Sequence, residues 1–161
     1  MAPKPVWKTI KNENGTILYE GHMIYEKAYG SGTAFYENGA PFHEGLFGVK
    51  GLICGREYYP NGQLRFEGTY KINRGYGPNY PEYGTWYSES GEELYNGKFE
   101  VERSGLGYPF VKKPEGYTPA VLGGPEINIT FSFNDQARLD EEKEWGKYLL
   151  AGNSCRLEIN K

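Results

Sequence analysis

Between residues 17 and 99 apolar and polar positions alternate with a period of two in short runs, and each run stops at a glycine-bearing turn. That period sends successive side chains to opposite faces of an extended chain, so each run predicts a half-buried strand. Asn14-Gly15, Asn38-Gly39 and Asn61-Gly62 fall between such runs, and Ser90-Gly91 takes the same place in a fourth. Asn-Gly flanked by β-forming residues predicts a two-residue type I′ hairpin turn, whose two central residues both need positive φ. The chain therefore reads as consecutive hairpins.

The hairpins are copies of one another. Asn14-Gly15-Thr-Ile-Leu-Tyr19-Glu20-Gly21 is followed by Asn38-Gly39-Ala-Pro-Phe-His43-Glu44-Gly45, by Asn61-Gly62-Gln-Leu-Arg-Phe66-Glu67-Gly68 and by Ser90-Gly91-Glu-Glu-Leu-Tyr95-Asn96-Gly97. Their turn glycines are 24, 23 and 29 residues apart. A two-residue loop at Asn38-Gly39 fixes a register in which Phe35 opposes Phe42, Ala34 opposes His43, Thr33 opposes Glu44 and Gly32 opposes Gly45. The same register sets Arg56 against Glu67. Alternation then gathers Tyr19 and Met23, Tyr36, His43 and Phe47, Tyr59, Phe66 and Tyr70, and Trp86, Tyr95 and Phe99 on one face, a ladder of rings separated by glycines. Leu18, Phe35, Phe42, Tyr58, Tyr87 and Leu94 share the other face with Glu20, Glu44, Glu67 and Asn96.

The Tyr/Phe-Glu-Gly-x-aromatic pattern with its Asn-Gly turns resembles the MORN repeat over about residues 7–111. The departures are His43 in a ring slot, Ser90 and Asn96 in place of Asn and Glu, and a longer 72–84 segment. The resemblance implies a single-layer sheet used for protein or lipid contact and rarely for chemistry. Residues 112–125, rich in Pro and Gly, read as a linker. In residues 126–161 a strand at Ile127–Phe133, a helix over about 135–151 capped by Asn134, with Trp145 on its buried stripe, and a strand through Cys155, Leu157 and Ile159 predict a β-α-β cap for the open sheet edge. The expected fold is mainly β with minor α: an antiparallel sheet of about four hairpin repeats and that cap.

Composition narrows the function. Apolar residues reach only 38% while aromatics reach 16%, a balance suited to a thin sheet with much exposed surface. A net charge of −3 offers no Lys/Arg cluster for nucleic acid or anionic lipid, and no segment is apolar and long enough to span a membrane as a helix. The first residues lack a signal-peptide core, so a cytoplasmic location is expected, and with it reduced, buried Cys54 and Cys155. No metal cluster, cofactor motif or hydrolase triad is readable. His22 and His43 read as satisfied or surface histidines, and Glu20, Glu44 and Glu67 as the wet side of the sheet, since equivalent residues two strands apart, about 9–10 Å, sit at the edge of what paired glycosidase carboxylates need.

The expected function is a non-catalytic binding or scaffolding module, without cofactor, that engages a protein partner, for instance as an antidote or inhibitor. Its contact residues are expected on the ring face, at Tyr36, His43, Phe47, Tyr59, Phe66, Tyr70, Trp86, Tyr95 and Phe99, and in the 72–84 loop, at Tyr76, Tyr80 and Tyr83. A planar or sugar-like small molecule held on the rings, and a glycan hydrolase using the glutamate row, are the alternatives.

Overall fold

A computed structural model describes residues 4–48, 51–73, 79–103 and 109–118. Eight antiparallel strands lie side by side in chain order: β1 (Val6–Lys11), β2 (Ile17–Ile24), β3 (Lys27–Phe35), β4 (Pro41–Gly48), β5 (Gly51–Tyr58), β6 (Leu64–Lys71), β7 (Tyr80–Tyr87) and β8 (Glu93–Lys98). A separate hairpin-like pair follows, β9 (Glu100–Arg103) with β10 (Pro109–Lys113). The described residues are all sheet, turn or irregular structure, and none of them forms a helix able to cross a membrane. The expected cap, with its helix over 135–151, lies outside the described residues. Of the expected linker, residues 112–118 are described: Lys112 and Lys113 end β10, and Tyr117 is buried.

The Asn-Gly turns differ from expectation. In the second copy Gly39 N donates to Tyr36 O at 3.0 Å and Tyr36 N to Ala40 O at 2.8 Å, closing a three-residue loop of Glu37, Asn38 and Gly39. Gly39 alone has positive φ, +89°, so this is a type I turn followed by a left-handed glycine, the usual three-residue hairpin. The same bonds recur over 12–16, 59–63 and 88–92. The extra loop residue should slip the register by one. A β-bulge restores it, because Phe35 pairs with Pro41 while Ala34 pairs with His43, leaving Phe42 unpaired. Leu18, Arg65 and Leu94 are skipped in the same way. Loop and bulge cancel, so the expected pairs from Ala34–His43 onward hold.

The bulge also corrects the face of Phe42. Strict alternation puts it opposite His43, whereas its ring stacks on His43 at 3.8 Å and it is buried in the core; an extra residue in one strand turns neighbouring side chains to the same side. A turn with positive φ at both central residues does occur, between β2 and β3 at Tyr25 (+53°) and Glu26 (+73°), where neither residue is Gly or Asn.

The hairpins are tied to one another through their loops. Tyr36 Oη donates to Tyr58 O and Tyr59 Oη to Tyr87 O, both at 2.7 Å. Asn38 caps its own loop, accepting from Ala40 N at 2.9 Å, and donates to Pro60 O at 2.9 Å; Asn61 does the same with Gln63 N and Glu89 O. In the second and third copies the Asn of the motif therefore closes its own turn and holds the next, whereas in the first Asn12 Oδ1 accepts from Asn14 N and Thr16 N. Cys54 is disulfide-bonded, which overturns the expected reduced thiol. The chain's other cysteine, Cys155, lies outside the described residues.

Candidate functional site

Register organises the sheet into rows that run across all eight strands. One row is Ile10, Tyr19, Ala34, His43, Glu57, Phe66, Trp86 and Tyr95, each the cross-strand partner of the next. The next row on that face is Lys8 followed by Gly21, Gly32, Gly45, Gly55, Gly68, Gly84 and Gly97. Rings of the first row cover glycines of the second: a Cβ on Gly84 would lie 2.7 Å from Phe66 Cζ. On the opposite face Glu20, Thr33, Glu44, Arg56, Glu67, Thr85 and Asn96 align, with Arg56 bonded to Glu67 at 2.5 Å and to Glu44 at 3.4 Å.

Glu57 is the exception in the ring row, a carboxylate at 2% exposure among aromatic neighbours. It survives there because four side chains surround it. His43 Nε2 lies 2.9 Å from Oε1, while Arg65 Nη1 and the Tyr117 hydroxyl, the latter at 3.1 Å, both donate to Oε2. Arg65 reaches it because it is the skipped residue of the third copy, and the bulge turns it toward the ring face. Burial acts to raise the Glu57 pKa, but His43 and Arg65 outweigh it and hold the carboxyl below its ordinary value. Tyr70 completes the surround: burial, then Glu57, push the pKa of its hydroxyl well up.

Tyr117 roofs this cluster. It is 2% exposed, its ring centroid lies 5.2 Å from Phe99 and 5.4 Å from Trp86, both nearly perpendicular, and Arg65 sits 4.3 Å over its face. Arg65 Nη2 also donates to Thr118 O. A buried His–Glu pair is the material of general base catalysis, but here both Glu57 oxygens are already engaged by side chains of the chain itself.

The predicted contact residues divide. Phe47, Phe66, Tyr70 and Phe99 are buried and pack edge-to-face in a core that runs from Tyr19 to Tyr117. Tyr36, His43, Tyr59, Trp86 and Tyr95 are half-buried, and of these Tyr36, Tyr59 and Tyr95 spend their hydroxyls on backbone carbonyls. Tyr80 is half-buried, Tyr83 is 50% exposed, and Tyr76 lies outside the described residues. Beside Tyr80 and Phe99 opens a groove of about 420 Å³ walled by Lys71, Lys98, Lys112, Glu82, Glu100 and Glu102. Tyr83 is not among the residues that line it, but its chain neighbour Glu82 and its cross-strand partner Lys98 are.

Sequence reasoning missed Glu57, Arg65 and Tyr117. The register derived from Asn61-Gly62 already opposes Glu57 to Phe66 on the ring face, so a buried carboxylate was readable. Arg65 was not, because alternation without the bulge sends it to the wet side. Among the described residues no group of His, Cys, Asp and Glu is arranged to hold a metal ion. No family model, curated protein or solved structure matches the chain.

Proposed function

We propose that this chain is a MORN-like binding module that engages a protein partner without catalysis, through exposed Tyr83 and the charged groove beside it. The observation that carries this reading is the contrast within one set of aromatics: rings of the ladder are packed as core, while Tyr83 is 50% exposed and has its neighbours Glu82 and Lys98 in the wall of the groove. Exposed aromatic rings are enriched among interface residues and among those that carry most of the binding energy. The groove alternates three lysines with three glutamates, which suits a peptide surface carrying both signs better than a polyanion. The engaged carboxylate of Glu57 and the Arg56 bridge between Glu44 and Glu67 favour structural roles for these acids over hydrolysis.

Affinity capture followed by a binding measurement with the identified partner tests this. Tyr83→Ala should weaken the complex by at least about tenfold, and Lys98→Ala by less. A verified complex indifferent to both substitutions overturns the reading.

A further inference from the structure

Tyr117 enters the ring face from a segment that shares no strand ladder with the eight-stranded sheet, since β10 pairs with β9 in a sheet of its own. What fixes this segment is side-chain chemistry. The Tyr117 ring fits edge-on among Phe66, Trp86 and Phe99, beneath the Arg65 guanidinium, and its hydroxyl both donates to Glu57 and accepts from Arg65 at 3.1 Å. This is a phenol socket with an apolar wall and a charged, hydrogen-bonding floor.

As a device for holding a core together such a floor is a poor choice, because a buried ion pair is often no more stabilising than apolar groups of the same volume. As a recognition device it is effective: a site built to hydrogen-bond a hydroxyl rejects the same ring without one, because its buried polar groups would be left unpaired. The indole nitrogen of Trp86, whose ring packs against Tyr117, is buried without a hydrogen-bond partner among the described residues, and a carbonyl of a better-fitting peptide would satisfy it.

We propose that this socket is a recognition site for a tyrosine side chain presented on an extended segment of a protein partner, and that residues 109–118 fill it in cis until that segment displaces them. The proposal deepens the reading of the protein as a binding module and rests on it. The partner class follows from the occupant: a tyrosine on an irregular or extended stretch, free to seat its ring from the side.

The test uses the full chain and a labelled synthetic peptide carrying residues 109–118, with versions in which Tyr117 is replaced by Phe or Ala. Tyr117→Ala, checked for folding by circular dichroism, should bind the tyrosine peptide at least about tenfold more tightly than the wild-type chain does. The phenylalanine peptide should bind roughly tenfold more weakly than the tyrosine peptide, for its lost hydroxyl bonds, and the alanine peptide should not bind. If Tyr117→Ala does not fold, hydrogen exchange on the wild-type chain decides instead: excess tyrosine peptide should deprotect the amides of 110–113, and the alanine peptide should not. Equal binding of the tyrosine and alanine peptides, no binding by a folded variant, or no change in exchange overturns the proposal. So does a wild-type dimer that the peptide dissociates, since the occupant would then be a second copy. Loss of partner affinity in Tyr83→Ala with no response to the peptides would remove the socket and leave the binding module standing.

Discussion

The ring of Tyr19 occupies the space that any side chain at Gly32 would need: a Cβ there would fall 2.2 Å from Tyr19 Oη and 2.6 Å from Cζ. The two residues sit on neighbouring strands, and Tyr19 is fully buried with its hydroxyl held by His22 O at 2.7 Å. A gap in one strand and a ring on the next are thus one packing unit. Gly32→Ala should destabilise the protein by about 2–3 kcal/mol in urea unfolding. Combined with Tyr19→Ala, which opens the space, the losses should add to clearly less than their sum. Additive losses would show that the ring and the glycine are not coupled.

The turn at Tyr25 and Glu26 holds two non-glycine residues at positive φ. Tyr25→Asn with Glu26→Gly should relieve that strain and stabilise the chain by about 1–2 kcal/mol, seen as a Tm higher by several degrees. A lower Tm would mean that side-chain contacts of Tyr25 or Glu26 outweigh the backbone strain.

Glu57 gives the protein a defined response to acid. Its folded pKa lies below the ordinary carboxyl value of 4.5, so the unfolded chain takes up the proton first as pH falls. The stabilisation from this carboxylate is complete above the ordinary carboxyl range and is lost as pH drops through that range toward the lower folded value. Glu57→Gln should cost about 3 kcal/mol at neutral pH, because Arg65 is left buried without its counter-charge. It should cost little at strongly acidic pH. A constant difference across the pH range would contradict the ionised state of Glu57.

At the alkaline end the tyrosines work in the opposite direction. Burial, with smaller contributions from Glu57 and Glu44 respectively, pushes Tyr36 and Tyr58 up to about 12, and Tyr70 and Tyr117 are also raised. Their folded pKa values exceed the ordinary 10.0, so their contribution is intact below pH 10 and fades as pH rises through the folded values. A spectrophotometric titration should show a late group of phenols whose ionisation coincides with unfolding. A single transition near the ordinary value, with the fold retained, would contradict their burial.

Much of this was legible in the sequence because a hairpin sheet is written locally. Period-two runs and turn glycines were enough for the strand order and for the cross-strand pairs at the glycine row. What escaped notice came in compensating parts. The three-residue loop and the bulge at Leu18, Phe42, Arg65 and Leu94 cancel in register, so neither leaves a trace in the spacing of the repeat. Their effect shows in Phe42, which stacks on His43, and in Arg65, which is brought onto the ring face to meet Glu57. Tyr117 was hidden for a different reason: a single buried ring in a Pro/Gly-rich stretch has no periodicity to announce it, and its destination is about fifty residues away in the chain.

Hydrogen exchange on the complex with its captured partner tests the central claim most directly, because it maps the contacted surface residue by residue. The account predicts new protection over residues 80–83 and 98–102, with the amides of β2 and β3 unchanged. Protection confined to β1, or to the strands carrying Glu20, Glu44 and Glu67, with residues 80–83 and 98–102 exchanging as in the free protein, would contradict it.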